Sequence, residues 1–141
     1  MNSQQIILVQ STFDQVRPIG GVVADLFYGR LFILDPSLRP MFKGDMAHQG
    51  RMLMSMLDLV VNGLTRLDTL VPMARQLGAR HANYGVRDEH YATVGSALLW
   101  TLEQGLGNHF TSEVRIAWTA AYGVLASTMQ AGATEAQVAV H

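Results

Sequence analysis

The side chains best equipped for chemistry in this 141-residue sequence are one imidazole, His81, and three polar groups set among apolar ones, Tyr28, Gln49 and Tyr91. His81 lies in the stretch ARQLGARHANYGVRDEHYATVG (74–95), near the end of an apolar-periodic segment. A neutral imidazole close to a helix end can coordinate a metal through one ring nitrogen. The other nitrogen then donates to a backbone carbonyl one turn earlier or to a nearby side chain. The competing reading is a hydrogen-bonded core histidine, the commoner role for a lone histidine on an apolar face. Gln49 falls on the apolar face of its own helix, where an amide needs partners. The sequence offers it few besides Tyr28 and a bound ligand. Tyr28, taken alone, reads equally as a core tyrosine whose hydroxyl finds a backbone carbonyl.

The elements that must position these groups are helical. Apolar spacing predicts helices over about 3–16, 22–34, 48–63, 69–84, 89–106 and 112–129, and no period-2 run demands a strand. Pro18 with Gly20-Gly21 breaks the first helix. Asp35-Pro36 opens a short one that ends near Phe42, and residues 43–47 form a loop. Gly85 is placed to end the His81 helix in the left-handed cap conformation, Asp88 to cap the next, and Thr111 the last. Within 48–63 a polar stripe, Arg51, Ser55, Asp58 and Asn62, is spaced four, three and four. At roughly 100° per residue the opposite face centres on Gln49, Leu53, Met56 and Val60, and His48 flanks the polar stripe. Seven or eight helices with short connections exceed an up-down four-helix bundle. They fit helices crossing steeply around an internal pocket. We divide the chain into a domain over 1–131 and an alanine-rich tail, 132–141, that extends the last helix or frays.

Composition narrows the function classes. Apolar residues make up 49% and charged residues 15%, which suits one folded domain with a sizeable core. Net charge is −1 and Lys43 is the only lysine, so no basic stripe exists to release counterions from nucleic acid. The chain has no cysteine, which excludes disulfides, thiolate zinc sites and cofactor attachment through Cys-x-x-Cys-His. The N-terminus lacks a charged segment followed by a long apolar run. The most apolar stretch, 52–61, is interrupted by Ser55 and Asp58 and is too short to span a bilayer. A cytoplasmic protein without a membrane partner is expected. Exposed apolar positions on the last two helices cannot be told from core, which leaves oligomeric state open.

Four segments together, in order and at these separations, resemble the globin superfamily: LFYGRLF (26–32), LDPSLRPMF (34–42), LGARHANYGVRDEHYATVG (77–95) and AWTAAYGVL (117–125). The likeness is to single-domain bacterial haemoglobins related to flavohaemoglobin haem domains and neuroglobin. It implies an all-α, three-over-three helical sandwich holding one buried, noncovalent haem b. Position by position, the resemblance implies that His81 is the proximal iron ligand and that Tyr28 and Gln49 form the distal pair. It gives Phe42 contact with the haem face, and Leu53 and Met56 the same side as Gln49. Tyr91 falls beside the proximal histidine, and Val86, Val94, Tyr122 and Leu125 line the pocket. Trp118 becomes a core tryptophan. Arg80 is a candidate for a haem propionate, with a solvated arginine as the alternative. His48 is the competing distal group, since neuroglobin carries a histidine where this chain has Gln49.

The function implied is reversible binding of oxygen, and of NO and CO, at a tyrosine and glutamine distal site. Oxygen polarises on binding and accepts hydrogen bonds well, whereas carbon monoxide polarises much less, so donors in a dry cavity favour oxygen. The enzyme alternative is nitric-oxide dioxygenation to nitrate, important in nitric oxide detoxification. It needs an external reductase, because no flavin or nicotinamide domain follows within the 141 residues. Flavohaemoglobins support the proximal histidine with a tyrosine and a glutamate. Tyr91 is present, but counting from Trp118 the glutamate's position falls on Ala133, with Glu135 two residues further on. This weakens the enzyme reading. A third reading is a haem-free globin-like regulatory module, in which His81 and Gln49 are ordinary core residues.

Overall fold

The computed structural model describes the backbone of residues 1–140 and the side-chain surroundings of residues 1–136. Among them are six α-helices and no strand: α1 (Ser3–Val16), α2 (Gly20–Leu34), α3 (Met46–Gly63), α4 (Leu67–Asn83), α5 (Asp88–Leu106) and α6 (Ser112–Val140). The helix boundaries follow local chemistry. Asn2 and Gln5 form a reciprocal capping box for α1, with Asn2 Oδ1 accepting from Gln5 N at 2.8 Å. Asp45 and Thr111 accept from Ala47 N and Val114 N at 2.9 and 3.2 Å and so start α3 and α6.

Three of the expected elements differ. The segment opened by Asp35 is a 3₁₀ turn, Pro36–Met41, because Pro40 has no N–H to give an α-helical ladder. Two further 3₁₀ turns, Arg17–Ile19 and Gly107–His109, bring the helical elements among the described residues to nine, against the seven or eight expected. The cap of α5 is Arg87 and not Asp88. The Nδ1 of His90 accepts from Arg87 N at 2.9 Å, which leaves Asp88 inside the first turn, where its charge favours the helix N-terminus. α6 continues through residues 132–140 of the tail, and His141 lies outside the described residues.

The core gathers one face of each long helix: Val9 and Phe13 from α1, Phe27 and Leu31 from α2, Val60 and Val61 from α3, Leu98 and Leu102 from α5, Ala117 and Trp118 from α6. A buried polar chain runs through it. Trp118 Nε1 donates to Thr12 Oγ1 at 2.9 Å, and that hydroxyl donates to the Leu8 carbonyl at 2.6 Å. α2 and α3 approach closely enough that a Cβ on Gly50 would lie 2.9 Å from the Ala24 Cβ. One turn further along α2, this crossing brings Tyr28 against the start of α3.

Candidate functional site: His81, Tyr28 and their neighbours

The end of α4 fixes His81 through its backbone as well as its ring. The ring Nδ1 lies 2.8 Å from the Leu77 carbonyl oxygen, an atom that can only accept, so Nδ1 carries the proton. The lone pair of Nε2 is thereby left free on a half-buried imidazole. The helix then closes in a double bond pattern: Gly85 N donates to Ala82 O and Val86 N to His81 O, each at 3.1 Å. Gly85 makes this possible with φ at +91°, a conformation that L side chains rarely adopt. The closure holds Val86, half-buried, next to His81. Tyr84, 70% exposed, stands at the rim with its ring centroid 6.2 Å from that of His81.

A second group collects on α2, the turn after it and α3. Tyr28 packs edge-on against Phe42 with ring centroids 5.3 Å apart, and Phe42 packs the same way against Phe32 at 5.5 Å. The Tyr28 hydroxyl donates to the backbone carbonyl of Gln49 at 3.3 Å, not to its amide. Burial pushes the Tyr28 pKa up to about 12, so it is a hydrogen-bond donor throughout the physiological range. Gln49, Leu53 and Met56 are half-buried along one side of α3, and His48 and Arg51 are exposed on the other. Among the described residues, His81 bonds through its ring only to Leu77, and the Tyr28 hydroxyl only to Gln49, so the two groups share no direct hydrogen bond.

α5 and α6 supply a third cluster. The Tyr122 ring lies against Gly95, and its hydroxyl donates to the Tyr91 carbonyl at 2.6 Å. Burial, and then the negative charge of Asp88, raises the Tyr91 pKa, while burial and the neighbouring Tyr91 raise that of Tyr122. Val94 is half-buried and Leu125 buried. Two of the sequence candidates stand apart: Arg80 is exposed, and Glu135 pairs with Arg75 at 3.6 Å on the outer surface of α4 and α6. Sequence reasoning did not single out Leu77 as the carbonyl partner, Phe32 as the ring backing Phe42, or His90 as a cap. The i+4 spacing from Tyr28 to Phe32 and from Leu77 to His81 was the available signal.

This donor set fits a haem iron. A haem iron would take one imidazole from the protein, and His81 could supply it through Nε2. Among the described residues, no group of three His, Asp or Glu side chains converges as a bare-ion site would require.

The globin family model matches residues 25–129. The chain is 28% identical over 129 residues to a flavohemoprotein of Bacillus subtilis, covering 89% of this chain and 32% of that protein. It is 32% identical over 125 residues to a flavohemoprotein of Bordetella parapertussis, covering 86% and 31%. The chain thus spans about a third of the length of these curated relatives. A bacterial globin from Campylobacter jejuni superimposes with a TM-score of 0.82 at 22% identity, covering 95% of this chain and 97% of that one, a likeness of fold. Given this arrangement of helices and a family match across most of its length, the chain belongs to the globin family, whose members hold haem and bind oxygen.

Proposed function

We propose that the protein binds oxygen reversibly at a noncovalent haem b, with His81 as the proximal ligand and Tyr28 and Gln49 on the distal side. The observation that carries this is the hydrogen bond from His81 Nδ1 to the Leu77 carbonyl, which frees Nε2 and fixes the ring plane. Bound haem supplies an iron centre that takes up a diatomic ligand. The residues of the chain do the rest. Phe42, Leu53, Met56, Val86, Val94 and Leu125 offer apolar surface that excludes water from the cofactor. Tyr28 holds a proton at its hydroxyl that can turn from the Gln49 carbonyl to a polarised ligand. The Gln49 amide is a second donor on the same face.

The acceptor behind His81 favours reversible binding over oxygen activation. A neutral backbone carbonyl pulls little on the Nδ1 proton, whereas a carboxylate would make the ring more imidazolate-like. Glu135, the α6 carboxylate closest in sequence to the position expected from the resemblance, is engaged with Arg75 at the surface. Nitric-oxide dioxygenation with an external reductase is the second reading, supported by the flavohemoprotein relatives. Absorption spectra of the purified protein, ferric, reduced and oxygenated, test the first reading: a Soret band that shifts reversibly with oxygen is expected, and its absence overturns it. Nitrate formed catalytically from nitric oxide with a supplied reductant would favour the second.

A further inference from the structure

α4 carries His81, yet it rests on the rest of the molecule chiefly through α6. It also meets α3, at the corner where Leu70 packs over Gly63. The seam between α4 and α6 is built from two reciprocal backbone contacts. A Cβ on Gly78 would lie 2.6 Å from Met129 Cα and closer still to its carbonyl oxygen. A Cβ on Gly132 would lie 2.7 Å from Arg75 Cα and likewise overlap its carbonyl. Both glycines are buried, as are Ala74 and Met129 along the same seam. The pairing of residue 75 with 132, and of 78 with 129, makes the helices antiparallel with only glycine hydrogens between them. The Arg75–Glu135 ion pair closes the outer edge.

We propose that Gly78 and Gly132 are positioning residues: by seating α4 on α6 backbone to backbone, they set where His81 presents Nε2 to the haem. This rests on His81 being the iron ligand. The first turn of the alanine-rich tail is then part of the proximal apparatus, while Glu135 pairs with Arg75 at the surface. Ordinary contact begins at 3.4 Å, and the added Cβ would come nearest the facing carbonyl oxygen, so a methyl group at either glycine forces the helices apart by about 1.5 Å. His81 lies less than one helical turn beyond Gly78 and moves with it.

The test compares Gly132→Ala with Gly123→Ala, a substitution in the same helix whose Cβ meets nothing within 4 Å. In the ferrous, ligand-free holoprotein, the iron–histidine stretching band should shift in Gly132→Ala and overlay the unsubstituted protein in Gly123→Ala. A band unmoved in folded Gly132→Ala overturns the proposal. Absence of the band from the unsubstituted protein overturns the ligand assignment, and the positioning role with it. Native-state hydrogen exchange on the unsubstituted holoprotein gives a readout that survives if Gly132→Ala does not fold. Amides of 78–82 and 129–132 should lose protection together, with one denaturant dependence. Independent and much faster exchange of the α4 amides would contradict a shared seat.

Discussion

Replacing Tyr28 by phenylalanine removes one hydroxyl and leaves the ring that packs against Phe27 and Phe42. That hydroxyl has a single proton to give, and without a ligand it goes to the Gln49 carbonyl at 3.3 Å. A bond this long between neutral groups contributes at the low end of the usual range, about 0.5 kcal/mol. Turned to a polarised ligand, the same proton makes a charge-assisted bond of about 1.5–3 kcal/mol. The ligand gains the difference, roughly 1–2.5 kcal/mol, because the carbonyl bond is given up in exchange. At tenfold per 1.4 kcal/mol, oxygen should leave Tyr28→Phe about five- to sixtyfold faster than the unsubstituted protein. Carbon monoxide, a poor acceptor, should leave at nearly its original rate. Stopped-flow displacement measures both. Oxygen release that is unchanged, or oxygen and carbon monoxide release accelerated alike, would refute a hydrogen-bonding role for Tyr28.

Other perturbations have defined outcomes. Because burial raises the Tyr28 pKa from the ordinary 10 to about 12, the folded state keeps this proton after the unfolded chain has lost it. Its contribution to stability is full below pH 10 and falls away as pH rises through about 12. Urea unfolding across that window should show roughly 2 kcal/mol less alkaline loss in Tyr28→Phe. Trp118→Phe removes the buried donor to Thr12 and opens space in the core, and should lower unfolding free energy by about 1–3 kcal/mol in urea titration. Glu135→Gln breaks an exposed ion pair of a kind that contributes at most about 1 kcal/mol. It should leave the visible spectrum and oxygen kinetics as they were; altered kinetics would bring this carboxylate to the proximal side after all.

The helices were readable because their signals are local: an apolar stripe of period 3.6, a capping aspartate or threonine, a proline that cannot donate. Gln49 facing inward and His48 outward followed from the same wheel, since a one-residue step turns a side chain by roughly 100°. Asp88 was misassigned because the helix starts one residue earlier, where His90 accepts from the Arg87 backbone N–H, and histidine is not among the side chains that usually cap. Pro36–Met41 tightened into 3₁₀ form for want of a donor at Pro40, a distinction that apolar spacing does not carry. The destination of the Tyr28 proton depends on where α2 crosses α3, and so on the Gly50–Ala24 approach, which is tertiary. The Gly78–Gly132 seat is of the same kind. Two glycines 54 positions apart have no local pattern that would pair them.

The proposed bond between His81 and iron is tested most directly by His81→Gly. After reconstitution with haem, the unsubstituted protein should bind one equivalent and oxygenate reversibly. His81→Gly should lose its ferrous iron–histidine band, retain haem poorly, and recover both when imidazole is added. If His81→Gly keeps the haem content, the iron–histidine band and the oxygen binding of the unsubstituted protein, another group holds the iron and the assignment of His81 is wrong.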